Sequence, residues 1–137
     1  KFDTLISLES AFHYNPRYKF FDEARRVLKP GGKFIIADIV LKKNNIYSNL
    51  YVKSHSNYLS IPNRNLISVD EWRQQIKKRG FNVKLYDITQ HTFKPYLTYF
   101  YKNYRHKNLL YKIIGISLLK FIINTHPYAY VVAICNL

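Results

Sequence analysis

The chain has 137 residues, 47% hydrophobic and 22% charged, ordinary globular usage that fits one folded domain and excludes disorder. One cysteine excludes a disulfide framework and a cysteine-rich zinc site, and no run of about 18 uncharged apolar residues offers a clear membrane-spanning helix. Lys and Arg number 22 against 8 acidic residues, a net charge of +14, which draws polyanions and anionic surfaces at long range.

Lys1-Phe2-Asp3-Thr4 lacks the basic, apolar and small-residue zones of a signal peptide. No methionine occurs at any position, so a processed or truncated piece is expected. The last acidic residue is Asp87, and every charged side chain in residues 88–137 is basic. That segment hints at an acidic partner, but AT-rich codons, which favour Lys, Asn, Ile, Tyr and Phe, produce the same excess without one. No nucleic-acid-binding module is recognisable.

Phe2 to Leu8 reads as a short, mostly apolar strand, and Glu9 to Tyr14 as a loop or a single turn. Asn15-Pro16 then offers a helix start, with Asn as the cap and Pro in the first turn. Phe20, Ala24 and Val27, with Phe21 and Leu28, make one apolar stripe. Pro30-Gly31-Gly32 is expected to end that helix, glycine taking the left-handed cap. Lys33 to Val40 is a near-continuous apolar run, as in a strand covered on both faces.

Leu41 to Asn65 is polar and tyrosine-rich, a long connection with a helix expected around Tyr47 to Leu59. Ser68-Val69-Asp70-Glu71 is a capping box; Val69, Trp72 and Ile76 follow on one face, and Gly80 closes the helix. Phe81 to Thr89 alternates as a strand, Tyr96 to Ile123 is helical in pieces, and Tyr128 to Ile134 is a final apolar strand. Alternating strands and helices predict the α/β class, a largely parallel sheet covered by helices. Leu109 to Ile123 suits a lid helix packed on the sheet, or an interfacial helix touching an anionic membrane.

FDTLISLESAFHY followed by FFDEARRVLKPGGKFIIADIV strongly resembles the second half of the class I S-adenosylmethionine-dependent methyltransferases, in the small-molecule methyltransferase type 11 group. IPNRNLISVDEWRQQIKKRGFNVKLYDIT and YAYVVAI are similar to the family's later helix and last two strands. The resemblance implies a Rossmann-like sheet with strand order 4-5-7-6 here and an antiparallel last strand. It divides one partial domain into residues 1–40, a substrate-side connection at 41–67, and a C-terminal part at 68–137. The Gly-rich turn and ribose-binding acid of the family's first two strands do not occur before Phe2. Roughly 70 to 100 residues are therefore expected to be missing, at about 30 per strand-helix unit.

Methyl transfer is an in-line displacement that depends on holding the acceptor close and aligned, with proton removal helping when the acceptor is a hydroxyl. The resemblance places Ser7, Leu8 and Glu9 at the S-adenosyl-L-methionine cofactor. It makes His13 a candidate general base, since imidazole titrates near neutral pH, and Asp38 its partner at the end of the next strand. A structural side chain that hydrogen-bonds its loop is the other reading of His13. Asp38 could merely cap the strand end, although an unpaired acid in an apolar strand is costly. Tyr47, Tyr51, His55 and Tyr58 fall in the connection that covers the acceptor pocket in this family; a solvated helix or core packing is their plainer reading. His13, His55, His91, His106 and His126 lack ligand spacing, so no metal is expected. The expected whole is a cytoplasmic enzyme acting on a small molecule. A non-catalytic remnant and a basic membrane-surface or nucleic-acid binder are the rivals.

Overall fold

In a computed structural model of the chain, the structure describes residues 1–43, 60–103, 110, 113–117, 121 and 125–137. Two compact units divide them, Lys1–Asp87 with Pro127–Leu137, and Ile88–His126.

In the first unit, strands β1 (Phe2–Leu8), β2 (Leu28–Leu41), β3 (Asn82–Asp87) and β4 (Tyr128–Asn136) form one sheet. Their spatial order is β1-β2-β4-β3, with β1 parallel to β2 and β4 antiparallel to both its neighbours. Helices α1 (Arg17–Val27) and α2 (Val69–Lys77) complete the unit. Only the β1–β2 pairing is parallel, so this is a mixed α/β sheet and not the largely parallel one that the alternation of strands and helices predicts; the antiparallel last strand, inserted between β2 and β3, makes the difference.

Strand alternation decides what lies under the helices. Phe34, Ile36 and Asp38 of β2 pair with Cys135, Ala133 and Val131 of β4, so all six share one face. Phe21 and Ala24 of α1 and Trp72 and Ile76 of α2 close the core. The Phe21 ring stands edge-on to Trp72, with centroids 6.2 Å apart, and tilts against Phe34 at 6.3 Å.

The capping box forms as expected. Ser68 Oγ accepts from the Glu71 amide at 3.2 Å, and Glu71 Oε2 accepts from the Ser68 amide at 3.0 Å. Ser68→Ala is expected to destabilise the protein by about 1 kcal/mol. A urea titration should show a lower midpoint with an unchanged slope.

Two other helix ends differ from expectation. Asn15 is not the cap of α1: Pro16 occupies the N-cap position without a side-chain bond. Asn15 therefore stands one residue too early, and Asn65 Oδ1, 48 positions away, accepts from the Arg17 amide at 3.2 Å instead. Nor does a glycine end α1. The extended Leu28 is the C-cap and its amide bonds the Ala24 carbonyl. Gly31 takes the left-handed conformation (φ +74°) three residues later, inside β2. There the register passes from Phe2↔Leu28 to Thr4↔Lys33, so the Pro-Gly-Gly segment is a bulge rather than a cap. A Cβ on Gly32 would stand 2.9 Å from the Lys29 carbonyl oxygen and 3.3 Å from that of Asp3, so this crossing needs glycine.

Cys135 is fully buried in the core, and burial pushes its thiol from 9.0 up to about 12. Only the thiolate reacts, so a disulfide reagent at pH 8 is expected to label the native protein far more slowly than the urea-unfolded chain. The folded value lies above the unfolded one. The associated stability is therefore intact below about 9 and lost as pH rises towards about 12.

The second unit begins with a turn at Thr89–His91 and helix α3 (Phe93–Asn103). Thr92 Oγ1 donates to the Ile88 carbonyl at 3.1 Å, and the rings of Phe93 and His126 lie 5.4 Å apart. Of the apolar segment 109–123, only 110, 113–117 and 121 are described; Leu110, Ile113, Ile114 and Phe121 are exposed. Among the described residues no helix is long and apolar enough to cross a membrane.

Candidate functional site

Ligands of open α/β sheets bind beside the carboxyl ends of the parallel strands. At that end of β1 the chain turns sharply. Glu9 adopts a positive φ of 49°, and its amide donates to the Ala37 carbonyl at 3.1 Å. Tyr130 of β4 reaches across β2 to donate its hydroxyl to Glu9 Oε1. Burial, and then the Glu9 bond, hold the Tyr130 phenol well above its ordinary range. Ser7 is buried with its Oγ 3.0 Å from Ser10 Oγ, whereas Leu8 is 69% exposed. Of the three residues assigned to the cofactor, Leu8 and Glu9 are thus open to a ligand and Ser7 faces inward.

His13 lies on the following turn, Ala11–His13, which is anchored by the buried Ala11 and Phe12. The imidazole itself is exposed. Its ring centroid is 4.1 Å from that of Phe12, and Nδ1 lies 3.0 Å from the Ser60 carbonyl oxygen. A carbonyl only accepts, so Nδ1 carries the hydrogen. In the neutral ring Nε2 is then left with a free lone pair, the tautomer a general base requires.

Asp38 lies elsewhere. Alternation turns it to the helix-covered face with Phe34 and Ile36, and it is completely buried. Its Oδ2 accepts from Arg17 Nη1 at 2.9 Å and Trp72 Nε1 at 2.8 Å, and its Oδ1 accepts from the Ile39 amide at 3.1 Å. Burial raises the Asp38 carboxyl and lowers the Arg17 guanidinium, each countered by its partner's charge. Among the described residues no hydrogen bond joins His13 to Asp38.

Asn65 links the two places. Its Nδ2 donates to the carbonyls of Phe12 at 3.0 Å and Tyr14 at 2.6 Å, on either side of His13. Its own carbonyl accepts from Arg17 Nη2 at 2.6 Å. Sequence reasoning missed Arg17, Asn65 and Tyr130. The cost of an acid in an apolar strand was the one signal that a buried cation had to exist. Tyr47, Tyr51, His55 and Tyr58 lie outside the described residues. No group of three or more His, Cys, Asp or Glu among the described residues could hold a metal.

Residues 1–36, which include β1, the His13 turn and α1, match the family described as "Methyltransferase domain". The erythromycin 3''-O-methyltransferase of Saccharopolyspora erythraea is 34% identical over 105 residues, covering 72% of this chain and 34% of the relative. An O-methyltransferase of Pyrenophora dematioidea is 33% identical over 91 residues, 66% of this chain and 33% of the relative. The chain thus spans about a third of the length of these curated relatives. Among solved structures, Haemonchus contortus phosphoethanolamine N-methyltransferase 2 in complex with S-adenosyl-L-methionine superposes with a TM-score of 0.70 at 18% identity, over 98% of this chain and 33% of that one. The geranyl diphosphate C-methyltransferase of Streptomyces coelicolor gives 0.70 at 14% identity, over 98% and 46%. These likenesses show a Rossmann-like fold. The family match over residues 1–36 and the two methyltransferase relatives agree with that fold, and together they support a class I S-adenosylmethionine-dependent methyltransferase.

Proposed function

We propose that β1, β2, β3 and β4 are the fourth, fifth, sixth and seventh strands of a methyltransferase sheet. The enzyme they complete methylates a hydroxyl group of a small molecule. The observation that carries this reading is the His13 imidazole, exposed beyond β1 and tethered at Nδ1 so that Nε2 is the free base. Both curated relatives are named as O-methyltransferases, and a hydroxyl is the acceptor that gains most from a base. Two further facts support a missing partner half: the coverage of a third of the relatives, and a parallel edge strand exposing Phe2, Ile6 and Leu8.

The residues present fit the cofactor in part. Leu8 offers apolar contact, and Glu9 offers a carboxylate already oriented by Tyr130. S-adenosylmethionine, when bound, supplies an electrophilic methyl group on a sulfonium. His13 Nε2 would take up the proton that the acceptor hydroxyl loses. The Ser60 carbonyl, at Nδ1, steadies the imidazolium that results. Asp38 does not touch the reacting atoms; it holds Arg17, and through Arg17 the Asn65 segment.

Calorimetric titration of the full-length protein with S-adenosylhomocysteine tests the assignment. Binding by that protein, and none by residues 1–137 alone, is the expected result. Binding by the 137-residue chain would overturn the claim of a missing half. A folded full-length protein that binds nothing would mark a non-catalytic remnant.

A further inference from the structure

We infer that Asn65 is a positioning residue that acts through His13, an inference that rests on the reading of His13 as the base. The segment Ser60 to Asn65 holds the His13 turn at three points. The Ser60 carbonyl takes the ring nitrogen, and the two hydrogens of Asn65 Nδ2 take the carbonyls immediately before and after His13. Asn65 is itself buried, and its remaining groups are occupied. Oδ1 caps α1 at the Arg17 amide, its carbonyl accepts from Arg17 Nη2, and its amide donates to the Pro62 carbonyl at 2.8 Å.

No other side chain performs this task at this length. Asp would present oxygens to two carbonyl oxygens, Gln is one methylene too long, and Leu has neither donor nor acceptor. Arg17 and Asp38 stand behind Asn65: Arg17 Nη2 holds its backbone carbonyl, so the buried ion pair is linked through this one residue to the backbone on either side of His13. A base displaced by about 1 Å loses about 10²-fold in rate even when the change lies away from the chemistry.

The test is a double-mutant cycle in the full-length enzyme, with Asn65→Ala, His13→Ala and the pair. Turnover, S-adenosylhomocysteine affinity and melting temperature are measured for each. Asn65→Ala is expected to lower kcat by about 10²-fold with unchanged cofactor affinity, and to lower it no further once His13 is Ala. Equal losses in both backgrounds would overturn the inference, because Asn65 would then serve the fold and not the base. Wild-type turnover in His13→Ala alone would instead defeat the base assignment, a separate outcome. If Asn65→Ala does not fold, Asn65→Ser is examined by nitrogen NMR of the His13 ring. Loss of the Nδ1-protonated tautomer supports positioning, and its retention overturns it.

Discussion

Replacing Arg17 by Met is expected to destabilise the protein by roughly 3–5 kcal/mol, the usual consequence of removing one partner from a buried ion pair. Asp38 and Arg17 are 0% and 1% exposed and 2.9 Å apart, so water cannot take over for the lost guanidinium. Trp72 Nε1 and the Ile39 amide remain on the carboxylate, but neither neutralises it. The loss is a large part of the 5–15 kcal/mol that holds a typical domain folded. It should appear as a lower urea midpoint, and a loss below about 1 kcal/mol would mean that the carboxylate is not left as a buried, uncompensated charge.

The pH dependence has a definite sign. Burial already raises Asp38 above its ordinary 3.8, and losing the cation raises it further. A folded value above the unfolded one gives stability that is complete below 3.8 and lost as pH rises through the folded value. The deficit of Arg17→Met should therefore shrink in acid and grow towards neutrality. Adding Asp38→Leu removes the charge and should recover part of the loss. It cannot recover all, since Trp72 Nε1 and the Asn65 carbonyl lose a partner, at about 1–3 kcal/mol for each buried group left unsatisfied.

What the sequence disclosed was local or periodic. The apolar runs of β2 and β4, the Ser68–Glu71 capping box and the apolar stripe of α1 are each made by residues within a few positions of one another, and each appears in the structure. The contacts that define the candidate site are not local. Asn65 meets Phe12 across 53 positions, and Arg17 meets Asp38 across 21. An arginine beginning a helix in a basic chain carries no local mark of facing inward. Asp38 was legible as an acid needing a role, and the period of its strand already fixed the face. Grouping it with Phe34 and Ile36 places it beneath α1 and α2, away from the imidazole it was expected to accompany. Asn15 shows the converse: an adequate local cap gave way because a remote side chain reached the same amide.

Replacing His13 by Ala is expected to lower kcat of the full-length enzyme by about 10²–10⁴-fold, the usual contribution of a positioned general base. S-adenosylhomocysteine affinity should be unchanged, since Leu8 and Glu9 of β1 and not the following turn are the cofactor's contacts in this assignment. His13→Asn separates tether from base. Its amide can donate to the Ser60 carbonyl where Nδ1 does now, but nothing occupies the place of Nε2. If the imidazole serves only to hold the turn, His13→Asn should restore most of the turnover lost in His13→Ala. If Nε2 takes the proton, both variants should be equally slow. An acceptor ionised before binding needs no base and would leave all three enzymes alike. The same three proteins therefore distinguish a working base from a structural histidine and from an acceptor that arrives as an anion.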